Sequence, residues 1–160
     1  MELKIYPECN VPSHPTYDEI HNRCEHIASL LTEHGEEFDL IVGLSRGGLL
    51  PGIIFSHLLN TPFKPLEYSS TKGKGDGLNS NSIPRWIIEN EIPTRVLIVD
   101  DIADSGHTLN EIVDVFRGNN FRVLTATIYS KVSSVFIPDY SGYLIPESFG
   151  WIVFPFEKKD

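Results

Sequence analysis

The sequence predicts an α/β fold: a three-layer parallel sheet with helices on both faces, plus a small C-terminal hood and a mobile loop. Three observations predict it. Short apolar runs alternate along the chain with segments of helical periodicity, as βαβ units require. The run Val96-Leu97-Ile98-Val99 is apolar without alternation, which suits a strand covered on both faces. Two strands end in turns rich in glycine and hydroxyl groups, Ser45-Arg46-Gly47-Gly48 and Ser105-Gly106-His107-Thr108, at the carboxyl edge where open parallel sheets bind ligands.

The elements follow in order. Pro7, Pro12 and Pro15 make the first stretch irregular. Thr16 and Glu19 have the spacing of a capping box, and Ile20, Cys24, Ile27 and Leu31 then recur on one helical stripe that Gly35 ends. Cys24 on that stripe is a small buried hydrophobe, whereas His21, His26 and His34 are expected at the solvated surface. Residues 38–44 read as a strand, 49–59 as a helix with Pro51 in its first turn, and 63–68 as a short strand. The strand 96–99 stops at Asp100-Asp101. A helix from about 108 to 117 is closed by Gly118, and 121–129 forms another strand. Residues 69–83, with Gly73, Gly75 and Gly77, form a loop too long for a mere connection, and such loops commonly serve as lids.

Composition narrows the function. A chain of 160 residues is expected to form a single domain over 1–160 with one buried core. No run reaches the roughly 18 apolar residues of a membrane span, and the first residues lack a signal-peptide core, so a cytoplasmic protein with no membrane partner is expected. Cys9 and Cys24 are the only cysteines, too few for a disulfide scaffold or a Cys-rich zinc site. With 13 basic against 22 acidic residues and a net charge of −9, no nucleic-acid partner is expected.

The chemistry concentrates at the two loaded strand ends. Asp100 and Asp101 are adjacent carboxylates, poorly suited to packing but apt to accept hydrogen bonds from paired hydroxyls or to sit near a cation. Behind them, Asp104-Ser105-Gly106-His107-Thr108 leads into a helix. Consecutive backbone N–H groups, a glycine, a hydroxyl and a helix N-terminus make an anion site. Carboxylates for a sugar diol followed by a phosphate cradle describe a site for a ribose 5-phosphate. At the other edge, Arg46 brings a guanidinium fork suited to a diphosphate.

The string Val96 to Thr108 resembles the phosphoribosyl-pyrophosphate signature of the type I phosphoribosyltransferases, and the likeness extends over roughly residues 16–157. The resemblance implies that Asp100 and Asp101 hold the ribose hydroxyls and that Asp104, Ser105, Gly106, His107 and Thr108 wrap the 5′-phosphate. Ser45, Arg46 and Gly47 would form the pyrophosphate loop, with a cis peptide between Ser45 and Arg46. The acid at Asp104, two residues before the glycine, is similar to that of the 6-oxopurine enzymes, where it acts on purine N7. Lys131 matches the residue that reads the exocyclic O6. The segment around Trp151 is similar to bacterial xanthine-guanine and hypoxanthine-guanine enzymes. Trp151 would cover the purine, and main-chain groups of Trp151 and Ile152 would meet its edge, within a base-covering segment of about 131–157.

The implied reaction displaces pyrophosphate from phosphoribosyl pyrophosphate by a 6-oxopurine (xanthine, guanine or hypoxanthine), a step of purine salvage, with Asp104 as the catalytic general base. Mg2+ is the implied cofactor, held by Asp100 and Asp101 mainly through substrate and water, with Glu157 a further candidate ligand. A homodimer or homotetramer is implied as well. Departures from the family pattern are His107 in the phosphate loop and Ser70-Thr71 where many relatives carry Ser-Tyr. Lys72 is the expected pyrophosphate contact from the mobile loop, with Lys74 and Arg85 as alternatives. Three other readings stand beside this one: a non-catalytic regulator of the same fold that binds the sugar or a nucleotide, a transferase for a pyrimidine base, and a phosphoacceptor receiver domain. In a receiver the acid pair follows the first strand, which it does not here.

Overall fold

The computed structural model describes residues 11–68 and 83–157. Its elements are α1 (Tyr17–Glu33), β1 (Leu40–Ser45), α2 (Leu49–Leu58), β2 (Phe63–Glu67), α3 (Arg85–Ile88), β3 (Thr94–Ala103), α4 (His107–Arg117), β4 (Phe121–Lys131) and β5 (Tyr140–Ile145), then a 3₁₀ turn at Glu147–Phe149. Lys72, Lys74 and the expected loop at about 69–83 lie outside the described residues, save Ile83.

The five strands form one parallel sheet in the order β2-β1-β3-β4-β5. The chain moves one way along the sheet from β1 to β2 and the opposite way from β3 to β4. Right-handed crossovers therefore place α2 and α4 on opposite faces. Strand alternation supplies a core to each. Ile41, Leu97 and Val99 pack under Ile20, Cys24, Ile27 and Leu31 of α1 and Phe55 of α2. Their neighbours Val42, Val96 and Ile98 pack under Leu109, Ile112 and Phe116 of α4 and Ile87 of α3. Period-2 strands and period-3.6 helices thus build the three layers from one pattern. Between β1 and β3 the connections diverge, and that divergence opens the crevice at which doubly wound sheets bind ligands.

Local signals behave as their chemistry dictates. Glu19 N–H donates to Thr16 Oγ1 at 3.1 Å and Thr16 N–H to the Glu19 carboxylate at 2.7 Å, so the capping box is closed. Gly35 follows the helix with φ +69°. Cys24 is buried, and burial pushes its thiol pKa up. His34 is not merely solvated surface, because its Nδ1 lies 2.7 Å from the Tyr140 hydroxyl.

Two expectations are corrected. β3 does not stop at the acid pair: it runs on to Ala103, and Asp100 pairs in register with Thr127 of β4. Ladder hydrogen bonds from β4 continue past the charged residues and carry the strand with them. The residues 140–145 inside the expected base-covering segment form β5, the sheet edge; only the chain beyond it is placed to cover a ligand. Arg85 sits exposed on α3, paired with Glu89 at 3.4 Å.

The hood is tied down from the front of the described chain. Val153 N–H donates to Ser13 O at 2.9 Å, the Tyr129 hydroxyl to Pro12 O at 2.7 Å and the Tyr17 hydroxyl to Pro155 O at 3.3 Å. Phe154 is buried edge-on against Tyr129, with ring centroids 5.7 Å apart. Among the described residues no helix is long and apolar enough to cross a membrane.

Candidate functional site

The acid pair lies near the carboxyl end of β3, just before Ile102 and Ala103. Adjacent strand residues point to opposite faces, and so the two carboxylates part company. Asp100 lines a small cleft of about 80 Å³ with Ser105, Gly106 and Thr108, whereas Asp101 lines a larger one of about 230 Å³ with Lys131, Trp151 and Glu157. Asp101 N–H donates to Asp100 Oδ1 at 2.9 Å and Ile102 N–H to Asp101 Oδ1 at 2.7 Å. Burial, and then the charge of Asp101, hold the Asp100 carboxyl well above the usual carboxylate range. Asp101 is also raised, chiefly by burial. Two neighbouring carboxylates partly stripped of water suit a hydroxylic or cationic ligand.

Asp104 lines both clefts, and the turn it opens is held from behind. Gly106 has φ +84°, open to glycine at no steric cost. A side chain there would also strike Ser134 Oγ and the Phe136 backbone. Val135 N–H donates to Ser105 O at 2.8 Å. The turn between β4 and β5 therefore braces the loop from β3. His107 is the first residue of α4, so the N–H groups and positive end of an eleven-residue helix face the small cleft.

The loop from β1 lies against the acid pair. Ser45–Arg46 is a cis peptide, as the resemblance implies. Gly47 is pressed so near Asp101 that a β-carbon would overlap the carboxylate, and Gly48 is equally close to Val99 O. Gly48 N–H donates to Leu44 O at 2.8 Å and Gly52 N–H to Gly48 O at 2.9 Å, which carries the turn directly into α2. Arg46 is exposed at the mouth.

At the far wall, Lys131 at the end of β4 reaches Asp104 Oδ1 at 2.6 Å and Glu147 Oε1 at 3.6 Å. The hydrogen bond to Asp104 is the main reason its pKa stands above the ordinary lysine value. The Lys131 side chain is 14% exposed and that of Asp104 55%. Trp151 is 76% exposed at the cleft edge, with Ile152 and Phe154 buried beneath it. An exposed indole beside a cleft offers a free stacking face.

The structure thus brings together Ser45, Arg46 and Gly47, the 100–108 segment, Lys131, Trp151, Ile152 and Glu157 at one sheet edge. Glu147 and the Ser134–Phe136 brace were missed from sequence. Glu147 carried no signal, because its link to Lys131 depends on the 3₁₀ turn after β5. Among the described residues no group of three or more His, Cys, Asp or Glu side chains could hold a metal ion alone.

A doubly wound sheet thus carries a helix N-terminus, an acid pair and an exposed indole together at its carboxyl edge. The sequence matches the phosphoribosyl transferase domain over residues 16–159, and the chain belongs to that family. It is 29% identical over 153 residues to the xanthine-guanine phosphoribosyltransferase of Cereibacter sphaeroides, spanning 90% of this chain and 86% of that one. It is 28% identical over 107 residues to the orotate phosphoribosyltransferase of Mannheimia succiniciproducens, spanning 65% of this chain and 48% of that one. The crystal structure of a purine phosphoribosyltransferase from Pyrococcus horikoshii superposes with a TM-score of 0.76 at 29% identity, over 92% of this chain and 94% of that one.

Proposed function

We propose that this phosphoribosyltransferase acts on a 6-oxopurine (xanthine, guanine or hypoxanthine), releasing pyrophosphate from phosphoribosyl pyrophosphate and forming a nucleoside monophosphate for purine salvage. The observation that carries the reading is the position of Asp104, which lines both the helix-capped cleft and the cleft edged by Trp151. A phosphoribosyl group bound at α4 and a ring bound at Trp151 would meet beside its carboxylate.

In this reading Ser105, Gly106, His107 and Thr108 receive the 5′-phosphate with the start of α4. Asp100 and Asp101 hold the ribose hydroxyls from two sides, and Ser45, Arg46 and Gly47 receive the pyrophosphate, with Lys72 their partner from the segment beyond the described residues. Lys131 donates to the purine O6, Trp151 stacks on the ring and the Ile152 main chain meets its edge. Asp104 serves as general base toward the attacking purine nitrogen, and Lys131 holds that carboxylate in place until a base arrives. The transition state carries positive charge on the sugar and negative charge on the leaving group, so fixed charges placed in advance do most of the work.

Mg2+ fits the donor set, which is all oxygen. Asp100 and Asp101 would hold it through water and substrate, with Glu157 near enough to contribute. Bound there, the ion would neutralise charge on the leaving group. The domain would act as one unit over 1–160, in the cytoplasm, as a homodimer or homotetramer.

The test is an ultraviolet assay of the purified protein with Mg2+, phosphoribosyl pyrophosphate and a panel of xanthine, guanine, hypoxanthine, adenine and orotate. Turnover of at least one 6-oxopurine is expected. The orotate relative makes a pyrimidine transferase the second reading, and orotate turnover alone would select it. Binding of the sugar without pyrophosphate release would select a regulator.

A further inference from the structure

Lys131 is shared between two carboxylates. Its ammonium lies 2.6 Å from Asp104 Oδ1 and 3.6 Å from Glu147 Oε1. Asp104 and Lys131 line the larger cleft, whereas Glu147 stands outside the set of described residues that line it. It reaches the ammonium from the 3₁₀ turn after β5, and strand register puts it there. Lys131 pairs with Ile145, Val132 N–H donates to Ile145 O at 3.0 Å, and Glu147 follows two residues on. Its orientation is set as well, because Ser133 Oγ donates to Glu147 Oε2 and leaves Oε1 toward the lysine. The hydrogen bond to Asp104 raises the lysine pKa most, and Glu147 raises it further.

This sharing matters when a ring arrives. Once Asp104 accepts the proton of the purine it becomes a neutral carboxyl, and its attraction for Lys131 fades. The Lys131 side chain is only 14% exposed, and an ammonium so far withdrawn from water is costly without a counter-charge. Glu147, outside the cleft, keeps its charge through that step. We infer that Glu147 is a positioning residue, which holds Lys131 charged and aimed at the purine O6 while Asp104 turns to the ring nitrogen. This rests on the 6-oxopurine reading of the site and deepens it. An ammonium offers three donors and no acceptor, so it rewards an oxygen at ring position 6 and gains nothing from an amino group there. Glu147 thereby supports, at one remove, the choice of 6-oxo over 6-amino rings.

The experiment is calorimetry with the 5′-monophosphates of guanosine, inosine and adenosine, and with ribose 5-phosphate, which has the sugar and phosphate but no ring. Wild type should bind the two 6-oxopurine nucleotides more tightly than the adenosine nucleotide. The Glu147 side chain is 68% exposed, so solvent screens its charge, and Glu147→Gln should weaken those two by about threefold to fivefold. The adenosine nucleotide and ribose 5-phosphate should bind as before. Glu147→Asp, which keeps the charge, should recover part of the loss. In a Lys131→Met background the Glu147→Gln substitution should change nothing, as required of a residue that acts through the lysine. Ser133→Ala frees the carboxylate without removing it and should show the same selective loss in smaller measure, even if Glu147→Gln does not fold. An equal weakening of all four ligands overturns the inference, because it marks a turn that merely supports the hood. So does an unchanged affinity in Glu147→Gln, or an undiminished effect of that substitution beside Lys131→Met. A wild type without preference for the 6-oxopurine nucleotides is a separate result, which removes the underlying reading and this inference with it.

Discussion

Lys131 Nζ stands 2.6 Å from Asp104 Oδ1, although the two residues leave the sheet on different strands. β3 delivers the carboxylate and β4 the ammonium, and their parallel register brings Ala103 beside Ser130. The two form an ion pair at the carboxyl edge of the sheet, and each partner limits the other's motion.

Replacing Asp104 by Asn keeps the shape and an oxygen acceptor for Lys131 but removes the base. Turnover of the purine should fall about 10²–10⁴-fold, whereas calorimetric affinity for phosphoribosyl pyrophosphate should stay near wild type. Unchanged turnover would take Asp104 out of the chemistry.

Trp151 is so exposed that Trp151→Ala should leave thermal stability almost untouched. A lost stacking face is worth about 1–3 kcal/mol, so KM for the base should rise roughly tenfold to hundredfold. KM for phosphoribosyl pyrophosphate is the control, and an equal rise there would mean that the indole supports the whole edge instead.

Gly47→Ala forces a methyl group onto the Asp101 carboxylate. Overpacking of this kind costs about 1–3 kcal/mol, and affinity for phosphoribosyl pyrophosphate should fall about tenfold. Adding Asp101→Ala should return the lost melting temperature, since the collision then has no second party. Calorimetry and thermal melts on the single and double variants check both statements.

Asp100 is held above the ordinary carboxylate range, so its burial favours the protonated form. A raised native pKa means that its contribution to stability is complete below the unfolded value, near pH 4, and is lost as pH rises through the native value. Asp100→Asn should therefore melt with wild type at about pH 4 and some 2–4 °C above it at about pH 7.5. The same substitution should lower activity, because the destabilising charge is the one offered to substrate. Equal melting curves at both pH values would show that Asp100 is not strained in the native state.

Much of this was legible from residues alone, and for local reasons. Thr16 with Glu19, the apolar run 96–99 and the Ser-Gly-His-Thr turn each announce their structure through neighbours in sequence. β5 was not legible, because Ser141 and Gly142 interrupt its apolar pattern. A side chain at 142 would strike Arg23 of α1, a packing relation that only the fold creates. The strand past Asp100 was hidden too, since the two charges look like a stop until β4 supplies hydrogen bonds beyond them. At the site, the Asp104–Lys131 pair was missed although both residues were singled out, because residues 27 positions apart in sequence meet only through strand register.

The clasp between Ser13 and Val153 ties the two extremities of the described chain at the mouth of one cleft. Trimming through Ser13 would slacken the wall behind Trp151 while sparing the α4 cradle on the opposite face. Ring selection and phosphate capture could then drift apart in shortened variants, so the leading residues act as a remote tuning screw for the aromatic half of the crevice.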